Sequence, residues 1–192
     1  MNERLPSTRV ALKLLSRSGC SSKVIAHCKA VSALAVQIAK ACEKKGLNAD
    51  IKLVQVGALL HDIGRSKTHG VAHVVVGAEI ARSLNLPESV VSIIERHAGG
   101  GVTIDEAKRL GWPVKSYLPQ ALEEKIVTYA DKLIEGPRRV RIERTIKKFS
   151  RELGENHSSI KRVKKLHKEF SSLIGDFDAY SRTRKNVWLF FS

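Results

Sequence analysis

The chain has 192 residues, 43% of them hydrophobic, and a formal net charge of +15 at pH 7. This length suits one substantial hydrophobic core and is short for two, so we expect one domain with an appended segment. No stretch approaches the roughly 18 to 20 uncharged apolar residues of a membrane span, and the N-terminal residues lack the pattern of a secretory signal. Three cysteines without a CxxC motif favour reduced thiols in a cytoplasmic protein.

The positive charge is distributed unevenly. Residues 136 to 192 carry 15 Lys and Arg against 6 Asp and Glu, a net +9, and the first 135 residues carry the remaining +6. A basic segment attracts polyanions, of which nucleic acid and nucleotides are the usual candidates. The alternative is that these side chains only solvate helix surfaces.

Apolar residues recur at helical spacing along most of the chain, and Gly and Pro residues divide the pattern into segments. Ser21 or Ser22 can cap a long second helix, and Asn48 or Asp50 can cap the apolar third helix. The β-branched run Val74–Val76 could belong to a strand, but the apolar positions around it keep helical spacing. The pattern predicts helices over about residues 6–18, 22–45, 51–62, 71–84, 87–97, 103–110, 118–134, 138–153 and 158–174.

Because the sequence has no convincing strand pattern, the predicted fold class is all-α, a helical bundle. We expect a core over residues 1–136 and a basic helical C-terminal extension over residues 137–192 that packs on it. The extension carries two amphipathic helices with basic outer faces. Its apolar end, Asn186–Ser192, would be costly to expose, so we expect it to pack on the body or on a second subunit of a homodimer.

His61 and Asp62 end the apolar third helix, two residues before Gly64. A helix that stops there would deliver both side chains to one point. Imidazole nitrogen and carboxylate oxygen together suit divalent transition metals such as Mn, Fe, Co, Ni or Zn. The alternative is a buried histidine that only hydrogen-bonds its neighbouring carboxylate. The same two interpretations apply to His27, which lies on the buried stripe of the second helix and needs a polar partner or a metal there.

A larger pattern contains this pair: His27, His61, Asp62 and Asp131 follow one another in the order H…HD…D, each on or at the end of a predicted helix. The pattern resembles the HD superfamily of metal-dependent phosphohydrolases over roughly residues 20 to 140. The resemblance implies an HD-domain bundle in which these four residues bind a first divalent metal ion. It also implies a second ion, held by His73 and His97 as in the superfamily's dinucleoside tetraphosphate hydrolases. His69 is the alternative to His73.

The resemblance further implies a reaction, the hydrolysis of a phosphomonoester or phosphodiester bond in a nucleotide or nucleic-acid substrate. Two cations that share Asp62 can activate a water for in-line attack on phosphorus. Cationic side chains would bind the phosphate; the candidates are Arg65, Lys67, Arg138 and Arg139, and the first two are also catalytic candidates together with Asp62. The chain lacks the GYP element of the cyclic-dinucleotide phosphodiesterases, which argues against that specificity.

Two segments, His97–Thr103 and Leu118–Leu133, are similar to those of small archaeal HD-domain proteins. An association of such relatives with a tRNA ribose methyltransferase would fit RNA binding by the basic C-terminal region. The alternative function is therefore an RNA-binding or tRNA-modification accessory protein that keeps the HD fold without turnover. His157 and His167 fall in the basic segment, outside the motif, and are predicted to lie on the surface.

Overall fold

The structure is a computed structural model that describes residues 4–175 and residue 177. This part of the chain forms nine α-helices, two short 3-10 segments and one pair of two-residue strands, which confirms the all-α class. The predicted packing of Asn186–Ser192 lies outside the described residues. The helices are α1 (Thr8–Arg17), α2 (Ser22–Glu43), α3 (Ile51–Leu60), α4 (His73–Ser83), α5 (Glu88–Arg96), α6 (Ile104–Arg109), α7 (Leu122–Lys132), α8 (Ile142–Leu153) and α9 (Ser158–Ile174).

Side-chain caps determine where α2 and α3 begin. The hydroxyl of Ser21 accepts a hydrogen bond from the Val24 amide at 3.4 Å, and the carboxylate of Asp50 accepts one from the Leu53 amide at 2.9 Å. Each cap satisfies an amide that has no partner inside the helix and is worth about 1 kcal/mol. Because α3 begins directly after Asp50, its ten residues end at the position where His61 becomes the C-terminal cap.

The main hydrophobic core lies between α2, α3 and α7. Ile38, Val54 and Ile126, one from each helix, have no exposed surface there. A second apolar cluster joins α1, α4 and α5 to another face of α3. Each fully buried aliphatic side chain of this kind stabilises the fold by about 1.5 to 3 kcal/mol. α3 therefore runs through the centre of the bundle, and its C-terminal end brings His61 and Asp62 inside.

The C-terminal helices share the main core. Ile142 of α8 and Val163 and Phe170 of α9 are buried in the same cluster as residues of α2 and α7. The Phe170 ring stacks on Tyr129 of α7, with ring centroids 4.9 Å apart. The Tyr129 hydroxyl also forms a hydrogen bond of 2.9 Å with Nδ1 of His167. His167 is therefore partly buried, and the prediction that it lies on the surface was wrong.

A short antiparallel hairpin takes the place of the first residues of the helix predicted over 138–153. Its strands are β1 (Ile134–Glu135) and β2 (Arg138–Arg139), and α8 begins only at Ile142. Gly136 in the turn has a φ of 58°, a left-handed conformation that costs glycine little. Gly136 and the proline after it therefore reverse the chain as well as separating two helices. The register pairs Ile134 with Arg139 and Glu135 with Arg138.

α2 is long and apolar enough, by length and composition, to cross a membrane, which the sequence prediction did not anticipate. In the structure it is a core helix, since Val31, Ala35 and Ile38 are fully buried against neighbouring helices. Core helices of globular proteins pass the same compositional test.

The glycine-rich segment after His97 lets α9 approach closely. A Cβ added to Gly99 would lie 3.0 Å from the Ser159 hydroxyl, and one added to Gly100 would lie 3.2 Å from Cβ of Arg162. Both glycines have positive φ, 58° and 81°. The first turn of α9 therefore packs beside the end of α5, where His97 lies.

Candidate metal centre

The six predicted metal ligands come together at the centre of the bundle. Four of them are buried, and His27 and Asp131 are partly exposed, so the cluster opens to solvent on one side. The six are His27 on α2, His61 and Asp62 after the end of α3, His73 at the start of α4, His97 after the end of α5 and Asp131 on α7.

Two glycines bring His73 into the cluster. A Cβ added to Gly64 would lie 2.0 Å from the carbonyl oxygen of His73 and 2.6 Å from the amide nitrogen of Gly77. Only a residue without a side chain permits this contact. As a result, Nε2 of His73 lies 3.1 Å from Oδ1 of Asp62, whereas His69 is exposed in the loop. Of the two candidates that the sequence left open, the structure places His73 in the cluster.

Each imidazole of the cluster is held by a backbone carbonyl through Nδ1. A carbonyl oxygen only accepts, so every Nδ1 carries a ring proton, and in a neutral ring Nε2 then presents a lone pair. Metal-binding histidines are typically fixed in this way. The pairs are His27 with Gly136 (2.9 Å), His61 with Ala58 (2.7 Å), His73 with Gly70 (2.8 Å) and His97 with Ile94 (2.7 Å).

The four Nε2 atoms converge on the carboxylates, and Asp62 lies in the middle. Each oxygen of Asp62 faces a different pair of histidines, so this carboxylate is placed to bridge two positions. From Asp62 to the Nε2 atoms, Oδ2 lies 3.8 Å from His27 and 3.7 Å from His61, and Oδ1 lies 3.1 Å from His73 and 3.5 Å from His97. From Asp131, Oδ1 lies 3.0 Å from His27 and 3.6 Å from His61.

Several buried polar atoms of the cluster have no protein partner. Nε2 of His61 and Oδ1 of Asp62 have no hydrogen-bond partner within the described residues. Nε2 of His73 and Nε2 of His97 are 3.1 Å apart, yet both rings keep their protons on Nδ1. An unsatisfied buried polar atom costs on the order of 1 to 3 kcal/mol. Cations among these lone pairs would remove that cost, so the donor set fits divalent metal ions.

Two overlapping groups of ligand atoms could each hold an ion. One consists of His27, His61 and Asp131, and the other of His61, Asp62 and His97; within each group the atoms lie within 4.8 Å of one another. Nitrogen and carboxylate oxygen donors suit Mn, Fe, Co, Ni or Zn. Cys28 lies next to His27 in sequence, but burial raises the pKa of its thiol well above the usual value. A protonated thiol is a poor ligand.

The charge states also suit metal binding. Burial acts to raise the pKa of Asp62, but the imidazoles that face it outweigh burial and hold the pKa well below its usual range. The pKa of Asp131 is also well below its usual range, because the Lys132 ammonium and two imidazoles outweigh burial. Burial lowers the pKa of His97 to about 4, so this ring is neutral at pH 7. Burial would lower the pKa of His27 as well, but the hydrogen bond and charge of Asp131 raise it.

Two cationic side chains hold the carboxylates from outside the cluster. Nε of Arg65 donates to Oδ2 of Asp62 at 2.7 Å, and its Nη1 donates to the carbonyl of His69 at 3.1 Å. Nζ of Lys132 donates to Oδ2 of Asp131, which leaves Oδ1 facing the histidines. Lys132 is only 6% exposed. Sequence reasoning did not single it out, because neighbouring residues of a helix usually point about 100° apart.

The cluster forms the buried part of the wall of a cavity of about 980 Å³. Arg65 lines this cavity, but Lys67, Arg138 and Arg139 are not among its lining residues. Lys67 and Arg138 are exposed, and the guanidinium of Arg139 donates to the carbonyl of Phe177. The structure therefore brings one of the four predicted phosphate-binding residues to the site, and the role of the other three stays a prediction.

Besides Arg65, six basic side chains that were not predicted as phosphate-binding residues line the cavity. His157, predicted to lie on the surface, is partly buried at the N-terminus of α9 and also lines the cavity. No local sequence pattern assigns these residues to the site, because their position depends on how α6, α8 and α9 pack with α2 and α7 around it. The basic residues are Lys23, Arg109, Lys132, Arg144, Lys148 and Arg162.

Comparison with known proteins gives the class. The family described as HD domain matches residues 24–136, which include all six residues of the cluster. The chain therefore belongs to the HD domain family.

Individual relatives extend the likeness beyond that segment. The chain is 52% identical over 164 residues to an uncharacterised protein of Methanocaldococcus jannaschii, a match that covers 85% of this chain and 96% of the other. It is 42% identical over 171 residues to a tRNA (cytidine(56)-2'-O)-methyltransferase of Thermoplasma volcanium. That match covers 89% of this chain and 48% of the methyltransferase, so the chain spans about half the length of this relative. Among solved structures, the HD domain of the L. monocytogenes phosphodiesterase PgpH in complex with cyclic-di-AMP has 21% sequence identity and a TM-score of 0.48, and the match covers 92% of this chain and all of the other.

Proposed function

We propose that this protein is a divalent-metal-dependent phosphohydrolase with two metal ions, which cleaves a phosphomonoester or phosphodiester bond of a nucleotide or nucleic-acid substrate. One observation carries the proposal: the two oxygens of Asp62 face two different pairs of histidine Nε2 atoms, and Nε2 of His61 and Oδ1 of Asp62 have no hydrogen-bond partner within the described residues. Membership of the HD domain family supports the same assignment.

Divalent ions, when bound, lower the pKa of a water and polarise a phosphate group. Contacts within the protein set the charge and the orientation of the side chains that would bind these ions. Asp62 stays ionised at neutral pH because the surrounding imidazoles depress its pKa, and Arg65 fixes its orientation. Lys132 does the same for Asp131. In a metal-bound state, each imidazole would keep its proton on Nδ1, where a backbone carbonyl accepts it. The residues that would hold the ions are His27, His61, Asp62, His73, His97 and Asp131.

The basic lining of the cavity suits a phosphate substrate. Seven Lys and Arg side chains line it, against five Asp and Glu, of which two are the cluster carboxylates. Preorganised cations of this kind stabilise the charge that shifts to the phosphate oxygens during reaction, without any reorganisation at that moment. Arg65 is the cation in direct contact with Asp62, so we expect it to act nearest to the scissile bond.

The experiment is a substrate panel with controlled metal loading. Metal-free protein is loaded in turn with Mn, Fe, Co, Ni and Zn and offered nucleotides, dinucleoside polyphosphates, RNA ends and a small chromogenic phosphodiester. Asp62→Ala and His73→Ala should abolish any turnover, whereas His69→Ala should retain it because that ring is exposed outside the cluster. If no metal supports release of product from any substrate, the proposal fails.

A second candidate is an RNA-binding or tRNA-modification accessory protein without turnover. The observation in its favour is the match to a tRNA methyltransferase over 89% of this chain, which extends beyond the residues matched by the HD domain family. RNA binding that weakens steeply with salt and survives Asp62→Ala, in a protein without hydrolytic activity, would favour this candidate.

A further inference from the structure

The cavity is larger than the metal cluster and a phosphate group require. Its volume of about 980 Å³ lies at the upper end of the roughly 300 to 1,000 Å³ that ligand pockets occupy. The cluster fills only the buried side, while other lining residues, such as Leu110 and Leu153, are 45% and 46% exposed. The cavity therefore runs from a buried ionic end to an open rim.

The rim combines apolar surface with cations. Leu110 at the end of α6 and Phe149 and Leu153 on α8 supply apolar surface, and Arg109 and Lys148 lie beside them in sequence. We call these five residues the shelf. Three of them come from α8, outside the segment that matches the HD domain family, so the C-terminal extension completes this part of the cavity.

The shelf cations are available to a ligand, unlike most cations of the cavity. Arg65, Lys132, Arg144 and Arg162 each bind a carboxylate that also lines the cavity. Within residues 4–175 and 177, neither Arg109 nor Lys148 takes part in an ion pair. Five acidic residues line the cavity, and four of them form the ion pairs just described. The fifth, Glu152, lies beside the shelf. An anionic group at the shelf would therefore find two cations that form no ion pair within the described part of the chain.

An apolar surface with two available cations, next to a phosphate-cleaving centre, fits a nucleic-acid strand. Bases pack on aromatic and apolar side chains whatever their identity, and backbone phosphates pair with Lys and Arg. We propose that the shelf binds the nucleotide next to the scissile phosphate, so that this site acts on strands of at least two nucleotides rather than on single nucleotides. The inference rests on the proposed function, since it takes the metal centre as the place where the scissile phosphate binds.

A binding experiment tests the shelf without requiring turnover. Fluorescence anisotropy would follow a labelled RNA trinucleotide and its DNA counterpart on the full-length protein loaded with a divalent metal. The unlabelled trinucleotide should compete at least tenfold better than a nucleoside monophosphate. Binding of RNA alone would add recognition of the 2′-hydroxyl; binding of both would mean that the shelf reads base and phosphate only. A monophosphate that competes as well as the trinucleotides would overturn the inference.

Paired variants locate the binding on the shelf. Lys148→Gln should reduce the dependence of log affinity on log salt concentration by about 0.7 to 1, the value of one phosphate contact. Lys147→Gln, one residue away, exposed and not in the cavity wall, should leave the slope unchanged. Leu153→Ser should weaken binding at least about fivefold, the scale of a lost base contact, and Val114→Ser, 65% exposed and outside the cavity wall, should not. Equal behaviour within each pair would contradict the inference.

All four substituted side chains are exposed or nearly half exposed, so we expect folded variants, and thermal unfolding checks this. Hydrolysis of the chromogenic phosphodiester by the wild type separates the two proposals. If the ester is cleaved but trinucleotides bind no better than a monophosphate, the shelf inference fails and the phosphohydrolase stands. If neither the ester nor any substrate of the panel is cleaved but binding depends on Lys148 and Leu153, the phosphohydrolase fails, and with it the action on strands, while the shelf stands only as a strand-binding surface.

Discussion

Gly64 and His73 pack so closely that a Cβ on Gly64 would lie 2.0 Å from the His73 carbonyl oxygen. Through this contact, the start of α4 packs directly against the segment that carries Asp62. Gly64→Ala must therefore push the two segments apart. We expect a loss of unfolding free energy of about 1 to 3 kcal/mol, as for other overpacked sites, and a weakened metal site that contains His73. Denaturant unfolding and metal titration measure both effects.

The matched control for that substitution is Gly70→Ala in the following loop. A Cβ there meets only the Thr68 hydroxyl, at 3.8 Å, and Gly70 does not have positive φ. We expect Gly70→Ala to change stability by less than about 1 kcal/mol. Equal losses in the two alanine variants would show that close packing at Gly64 is not what positions His73.

Lys132 is the cation on which the charge of Asp131 depends. Its side chain is 7% exposed and its ammonium donates to that carboxylate. Removing one member of a buried ion pair lowers the unfolding free energy by about 3 to 5 kcal/mol. Because Asp131 is partly exposed, we expect a somewhat smaller loss, about 2 to 4 kcal/mol, for Lys132→Met. Lys125→Met on the same helix removes an exposed pair with Glu169, which is worth about 0 to 1 kcal/mol. Denaturant unfolding of both metal-free variants gives the comparison; similar losses would refute the structural role of Lys132.

Glu106 links α6 to α9, and its ionisation should make stability depend on pH. Burial acts to raise the pKa of Glu106, but hydrogen bonds from Ser158 and Thr103 and the charge of Arg162 outweigh it and lower the pKa to about 2. A lowered pKa in the folded state stabilises the protein above the unfolded-state pKa of about 4.3, and this contribution is lost as pH falls toward 2.

Glu106→Gln removes this titration and keeps the helix cap, because Gln can also accept from the Thr103 amide. We expect the variant to be less stable than the wild type by on the order of 2 to 3 kcal/mol at pH 6, with the difference shrinking below pH 4.5. Glu169→Gln, whose carboxylate is 44% exposed, serves as the control. Denaturant unfolding at several pH values measures the difference in unfolding free energy between Glu106→Gln and the wild type. If this difference is the same at pH 6 and at pH 3, the carboxylate does not have this role.

The sequence predicted most of the helices from local apolar spacing, and the main ligands from the resemblance of their order to the HD superfamily. Apolar spacing fixed nine helical segments, and the HD pair stands at a helix end that Gly64 marks. The resemblance favoured His73 over His69, but the residues alone left both open, since the choice depends on contact between Gly64 and α4 rather than on either histidine's neighbours.

The rest of the site depends on packing between distant segments. In the sequence, Gly136 and the following proline indicated only a boundary between two helices. The two-residue strands of the hairpin are too short to give an alternating pattern. Glycines 99 to 101 look like a loop in sequence, and only the contact with Ser159 and Arg162 shows that they admit α9 to the cavity wall. Shelf residues such as Lys148 cannot be told from solvated neighbours such as Lys147 until that packing is known.

The number of metal ions bound per chain tests most directly whether Asp62 bridges two sites. Metal-free protein is dialysed against excess Mn, Co or Zn, freed of unbound metal, and analysed by mass spectrometry for metal per chain. We predict about two ions for the wild type, about one for His97→Ala, and less than one for Asp62→Asn, because that carboxylate faces both histidine pairs. A wild type that never exceeds one ion with any of the metals, or an Asp62→Asn variant that still binds two, would contradict the account.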